Sequence, residues 1–428
     1  IYTMQLVERL ALHNPWWEGR GVEAVAGLEK RDAYGLVWDH LQAKQIISVT
    51  GLRRVGKTVL ARQLIAGLLA SGVEARSILY FSFDELLAKD PDIIEDVLRA
   101  YESTILKGEL RDVYVFFDEI NHVPHWQVVL KRFYDLERGI KFVVTGSSGI
   151  RIRKAGESLA GRIIECELEP LSFREFLRLR KVSLTEQLDA HALTLQNELP
   201  RYLMMGGFPE LVSEPRFDKA RSYVGSVVDK IILADIPQAG EVGNPEILRE
   251  VFRLLARAPG SLVEYKSLAS ALKVSYQTVS KYMHYLESAY LVRIVRNRRG
   301  SAVAASRKAK KAYLTTTSLA LVSAESESQL LALLPALAEN AVAVHLHAQY
   351  FWKKHHELDF LTEQGAVEVK FAEHDDAGKN IAAAAKKGEK RLIVVTKNSE
   401  RRERREGLEV TWTPLWKFLL ADPAAIFS

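Results

Sequence analysis

A mixed α/β fold, with a parallel sheet built around a phosphate-binding loop, is the class this sequence predicts. Two observations carry it. Gly51-Leu52-Arg53-Arg54-Val55-Gly56-Lys57-Thr58 follows the apolar run Ile46-Ile47-Ser48-Val49-Thr50 and leads into the helical pattern Val59 to Ile65, the strand, glycine loop and helix of a P-loop. Further apolar, β-rich runs follow at Ile78 to Phe81, Val113 to Phe117, Lys141 to Thr145 and Arg162 to Glu165, alternating with helical segments such as Asp92 to Ile105 and Trp126 to Leu136. Continuous apolar strands separated by helices imply a parallel sheet covered on both faces.

The loop residues specify a nucleotide site. Glycines let backbone N–H groups turn inward around a phosphate, and the helix N-terminus adds its positive dipole end. Gly51, Leu52, Arg53, Arg54, Val55, Gly56, Lys57, Thr58 and Val59 are therefore the expected ATP/ADP contacts, with Lys57 on the β/γ-phosphates and the Thr58 hydroxyl on Mg²⁺. Val113-Tyr-Val-Phe-Phe117 ends in Asp118-Glu119. Burying that strand leaves Asp118 beside the metal and Glu119 to polarise the attacking water; a solvated Asp-Glu pair is the plainer alternative. Ser147, after Val143-Val-Thr145-Gly, stands where a γ-phosphate sensor would, although hydroxyls also suit ordinary turns. Arg162 could reach a γ-phosphate, in its own chain or in a neighbouring subunit of a homo-oligomer; a surface ion pair serves equally well.

At 428 residues and 48% hydrophobic content the chain can bury several cores, which suggests two to four domains. A single cysteine, Cys166, excludes an intramolecular disulfide and a cysteine-rich metal site. The first residues carry no basic-then-apolar secretory pattern, and the apolar stretch Leu330 to Leu346 is broken by Pro335 and Glu339. A cytoplasmic protein with no membrane anchor is expected. Net charge is only +5, so partners must be read from where the charges sit.

From Pro245 the pattern changes. Ile247 to Ala256, Tyr265 to Leu272 and Ser275 to Ser288 read as helices, the last two joined tightly through Lys273-Val274-Ser275, a helix-turn-helix arrangement. Val279, Met283 and Leu286 pack inward, leaving Gln277, Thr278, Ser280, Lys281 and His284 for a DNA groove or its phosphates. Leu291 to Lys311 then holds Arg293, Arg296, Arg298, Arg299, Arg307, Lys308, Lys310 and Lys311 without one acid. Its strand, Gly300-Ser turn and return through Ala312-Tyr-Leu314 have the form of a wing that contacts phosphates, or of a solvated basic loop.

Further on, Glu357 to Thr362 and Ala366 to Phe371 are alternating strands joined by Glu363-Gln-Gly365, a hairpin signal. Alternation brings Asp359, Glu368 and Lys370 together. Asp359 and Glu368 are candidates to hold Mg²⁺ and Lys370 to orient a hydroxide attacking a phosphodiester, with Glu339 completing the site. A salt-bridged hairpin has the same pattern. Glu400 to Glu406 reads as a mixed-charge surface loop.

Gly51 to Thr58, Phe117-Asp-Glu119, Thr145-Gly-Ser-Ser148, Leu159-Ala-Gly-Arg162, Pro170-Leu-Ser-Phe-Arg-Glu-Phe176 and Gly206-Gly-Phe-Pro-Glu210 together resemble the archaeal and bacterial AAA+-type ATPases related to the origin-recognition and STAND branches. Asn14-Pro-Trp-Trp17 is similar to archaeal members. The resemblance implies an ATPase core over 1–168, a helical lid over 169–240 that includes Gly206 to Glu210, a winged helix over 241–315, and a restriction-endonuclease-like, PD-(D/E)xK α/β domain over 316–428. Its members often have an acid after the second wing strand, where this chain reads Leu314-Thr-Thr-Thr317. The expected function is ATP-driven action on duplex or branched DNA in repair, replication or mobile-element processing. A nucleotide switch that regulates transcription or defence without cutting, and a scaffold that only docks on nucleic acid, are the other readings.

Overall fold

Strand β1 (Ile46–Thr50) is buried along its whole length because it lies inside a parallel sheet, between β4 (Lys141–Gly146) and β5 (Ile163–Glu167). With β2 (Ile78–Ser82) and β3 (Tyr114–Asp118) the order is β2-β3-β4-β1-β5, so every strand expected in this half is present, displaced by at most two residues at its ends. The computed structural model describes residues 2–21, 23–83, 90–147, 159–185, 187–298, 310–354, 356–372 and 376–427. Ile1–Glu169 and Pro170–Ser428 form two compact units.

In the first unit, the Lys57–Ala70 helix buries Leu60, Leu64, Ile65 and Leu68, while Val115, Phe117, Phe142 and Val144 join the core that also holds Val97, Tyr101 and Trp126. Lys141 is buried at the start of β4 and donates to the carbonyls of His40 (2.8 Å), Ala43 and Gln45 (both 2.6 Å), which fastens the chain entering β1. Burial pushes that ammonium down to about 8.

The Asn14-Pro-Trp-Trp17 motif covers β2, the strand at the end of the order. Asn14 Nδ2 donates to the carbonyl of Tyr80 (2.8 Å), and its Oδ1 accepts from the Tyr80 N–H (2.6 Å), so one side-chain amide pairs a strand peptide as a neighbouring strand would. The indoles of Trp16 and Trp17 both donate to the Ile78 carbonyl, at 3.2 and 2.9 Å.

The second unit opens with the helices Phe173–Leu179, Ala192–Met205 and Phe217–Lys230; the first has a complete Ser172/Glu175 capping box. The next three helices, Pro245–Arg257, Tyr265–Leu272 and Tyr276–Ser288, are those read from the periodicity, two of them capped by Asn244 and Ser275. A sheet of nine strands follows: β6 (Leu262–Val263), β7 (Val292–Asn297), β8 (Lys310–Leu314), β9 (Tyr350–Lys353), β10 (Glu357–Leu361), β11 (Ala366–Lys370), β12 (Arg391–Thr396), β13 (Arg401–Arg405) and β14 (Leu408–Pro414). The β7–β8 and β10–β11 pairs are antiparallel, as the sequence suggests. Less expected is the short parallel pairing of β7 with β9, Arg296 opposite Tyr350 and Asn297 opposite Phe351, which carries one sheet through residues on both sides of 315.

One detail departs from the sequence reading. Residues Arg401–Arg405 form a strand rather than a loop, antiparallel to β14 and exposed at every position; at a sheet edge, charge on both faces is no obstacle to pairing. After β8 the chain reads Leu314-Thr-Thr-Thr317, and hydroxyls make the contacts: Thr316 Oγ1 and Ser318 Oγ lie 3.0 Å apart and Ser318 Oγ accepts from Gly207 N (3.3 Å).

Replacing Asn14 by Ala should strip both partners from the buried Tyr80 peptide and cost about 2–4 kcal/mol. A denaturant melt of the variant checks this, with a shift near zero as the contrary result.

Candidate functional sites

The loop between β1 and the Lys57–Ala70 helix is closed by geometry that only glycine meets. At Gly51 φ is +144°, and a Cβ there would lie 2.2 Å from the Leu168 carbonyl oxygen; Gly56, at φ +102°, turns the chain into the helix. Arg31, which the sequence gave no reason to single out, fastens the loop from outside by donating to the carbonyls of Val55 (2.6 Å) and Glu169 (2.7 Å). Lys57 lies buried inside it, its ammonium donating to the carbonyls of Gly51 (3.1 Å) and Leu52 (2.9 Å).

Asp118, 4% exposed at the tip of β3, gathers the second half of the site. Its Oδ2 accepts from the Thr58 hydroxyl at 2.7 Å and from the Tyr80 phenol at 2.8 Å, while its Oδ1 accepts from Thr145. Burial and the neighbouring carboxylate push the Tyr80 phenol above its ordinary range, so it stays a donor. Thr145 Oγ1 in turn accepts from the Glu119 N–H (3.1 Å), and Ser147 donates to Glu119 Oε2 (3.0 Å). Glu119 is left-handed at φ +54°. Lys57, Thr58, Asp118, Glu119 and Ser147 therefore share one end of the sheet. Arg162 instead pairs with Asp135 (2.9 Å) at the surface.

Thr58 and Asp118 fit a divalent cation: a hydroxyl and a carboxylate side by side are the protein share of a Mg²⁺ site completed by phosphates and water. Among the described residues, no group of three or more His, Cys, Asp or Glu is arranged to hold a metal by itself.

Residues 43–177 match the family model of an AAA domain. The five-stranded parallel sheet of the mixed α/β fold lies within those residues, so that segment has the fold of an AAA domain with a P-loop. Residues 196–329 match a family described as a domain of unknown function. An uncharacterized protein of Methanocaldococcus jannaschii is 30% identical over 272 residues, covering 58% of this chain and 56% of that protein. One of Haemophilus influenzae is 28% identical over 251 residues, covering 57% and 60%. The chain thus spans little more than half the length of these curated relatives. Among solved structures, the Thermotoga maritima RuvB Holliday junction branch migration motor is 18% identical over 64% of this chain and 93% of that one, with a TM-score of 0.32. AMPPCP-bound DnaA from Aquifex aeolicus is 14% identical over 61% and 90%, with a TM-score of 0.28.

Beyond the AAA domain, Glu339, Asp359, Glu368 and Lys370 also meet. Asp359 Oδ2 accepts from Val369 N (2.9 Å), Glu368 Oε2 accepts from Asp359 N (3.3 Å), and Lys370 donates to Glu368 Oε1 (2.7 Å). The link to Glu339 is a residue the sequence reading assigned to the basic wing. Lys311, whose side chain is 4% exposed, lies 2.8 Å from Glu339, 2.7 Å from Glu357 and 3.3 Å from Asp359. Burial pulls the Lys311 ammonium down, but Asp359, Tyr313 and the two glutamates outweigh it and hold it above its usual value. Tyr313 donates to Glu339 (2.6 Å) and Lys353 pairs with Glu357 (2.9 Å). Lys311 directly precedes the apolar Ala312-Tyr313-Leu314 and is buried with them, and a buried lysine requires acids beside it.

Of the residues expected on DNA, Gln277 and Lys281 are exposed on the Tyr276–Ser288 helix, and Arg296 and Arg298 near the end of β7. Thr278 is half-buried with its hydroxyl 2.8 Å from that of Ser275, and Arg293 is half-buried in β7. Ser148, Arg299, Arg307 and Lys308 lie outside the described residues.

Burial, then the charge of Asp359, raises the Glu368 carboxyl to about 8. In an unfolded chain it titrates near ~4.3. Between those values the folded protein holds the extra proton, so this group's contribution to stability falls as pH rises from about 4.3 to about 8 and is constant above. Glu368→Gln, which cannot ionise, should therefore gain in melting temperature relative to the parent between pH 5 and pH 8.5; equal differences at both pH values would contradict the assignment.

Proposed function

We propose that this chain hydrolyses ATP and couples hydrolysis to action on DNA. The observation that carries the first half is the continuous hydrogen-bonded path Thr58–Asp118–Thr145–Glu119–Ser147 beside the Lys57 loop. In this reading Gly51 to Val59 wrap the phosphates and Lys57 leaves its loop carbonyls for the β/γ-oxygens. Thr58 and Asp118 would hold Mg²⁺, which would supply positive charge against that developing on the phosphates. Asp118 keeps its orientation because three hydroxyls donate to it. Glu119, its backbone held by Thr145 and its carboxylate by Ser147, aligns the attacking water, and Ser147 is a positioning residue. Arg162 contributes only if it leaves Asp135.

For the second half, the helices Pro245–Arg257, Tyr265–Leu272 and Tyr276–Ser288 with the β7–β8 pair are read as a winged helix, and the helices of 170–240 as a lid. Gln277, Lys281, Arg296 and Arg298 are its exposed donors to duplex or branched DNA. The sheet and helices around Asp359 and Glu368 are read as nuclease-like.

Lys57→Ala should abolish ATP hydrolysis. Glu119→Gln should retain nucleotide binding but lose roughly 10²–10⁴ in turnover; turnover like that of the parent would remove Glu119 from the reaction. On DNA, each phosphate contact releases condensed counterions. Arg296→Ala with Arg298→Ala should weaken binding on every sequence and lower the log-affinity against log-salt slope by roughly 2. An unchanged slope would place the DNA surface elsewhere.

A further inference from the structure

We infer that Lys311 is a built-in replacement for a divalent cation: its ammonium holds the place among Glu339, Glu357 and Asp359 that a metal would take, and the cluster becomes a metal site only when that ammonium is removed. Every group involved belongs to the second unit, whether or not the chain acts on DNA.

The three carboxylates come from two elements, the Leu334–His345 helix and β10, and converge on one nitrogen at 2.7–3.3 Å. An ammonium has three donors, and here each finds an anionic oxygen. The other oxygens of the inner pair are also used: Asp359 Oδ2 by Val369 N, and Glu368 Oε1 and Oε2 by Lys370 and Asp359 N. Glu339 Oε1 accepts from Tyr313 as well as from Lys311. Mg²⁺, Mn²⁺ or Ca²⁺ would need these same oxygens at ~2.0–2.6 Å, which cannot be reached while an ammonium of like charge sits among them.

Charge counting agrees. Four carboxylates, Glu339, Glu357, Asp359 and Glu368, face three lysines, Lys311, Lys353 and Lys370. The cluster is within one charge of neutrality without a metal. Deleting Lys311 leaves the acids around it with uncompensated buried charge, which is costly unless another cation takes its place. Lys370, which the nuclease-like reading makes catalytic, bonds Glu368 and is not the competing cation.

The test counts metal directly. In a nucleotide-free Asp118→Asn background, which silences the P-loop carboxylate, Mn²⁺ is titrated and bound ion is measured by electron paramagnetic resonance. With Lys311 present, no ion that depends on Asp359 should bind at 1 mM, roughly the upper end of useful affinities. Lys311→Met should bind one further Mn²⁺ per chain with a dissociation constant on the order of 10⁻³ M or tighter. Adding Asp359→Asn should abolish that ion, and Ca²⁺ should raise the melting temperature of Lys311→Met but not of the parent. Should Lys311→Met fail to fold, Lys311→Met/Glu357→Gln removes one charge of each sign and leaves Glu339 and Asp359 to bind the ion. Asp359-dependent Mn²⁺ in the chain that retains Lys311, or a folded Lys311 variant that gains none, overturns the inference.

Discussion

Asp118 is a charged group inside a protein, and the C-terminal edge of the first sheet is arranged to make that tolerable. Burying a carboxylate without partners would shift it to its neutral form or unfold its surroundings. Thr58, Tyr80 and Thr145 come from the helix and strands around it, so satisfying one carboxylate positions three elements together. Thr145 then passes the constraint on to Glu119, whose backbone it holds in a left-handed turn. The residues read as metal-binding and water-aligning are therefore fixed by the same set of bonds.

The first unit was largely legible from its residues because its signals are local. A P-loop is contiguous, strand periods are contiguous, and Asp118-Glu119 closes its own strand. What was not legible there are long-range donors such as Arg31 on Val55 and Tyr80 on Asp118, whose side chains carry no mark in sequence of where they point. Ser147 shows the intermediate case: its place at the strand end was readable, its bond to Glu119 was not.

The second unit divides along the same line. The hairpin turn and alternation brought Asp359, Glu368 and Lys370 together in advance, and Glu339 does join them. The joint is Lys311, however, which belonged by composition to a run of exposed cations. Composition describes a neighbourhood in the chain, whereas burial depends on which strand lies opposite. β8 and β10 stand two strands apart in the order β10-β9-β7-β8, and the ion pairs of Lys311 with Glu357 and Asp359 form only once the whole sheet is folded.

Two of the end strands, one from each sheet, are protected by opposite means. β13 exposes arginine and glutamate along an edge that water already satisfies. β2 is apolar and has no such defence, and Asn14 with the two indoles supplies side-chain atoms in place of an adjoining strand. The motif is therefore a plug against self-association as much as a fastening: an uncovered β2 offers an apolar, unpaired strand to another copy of the chain, and the sheet would grow by recruitment between molecules.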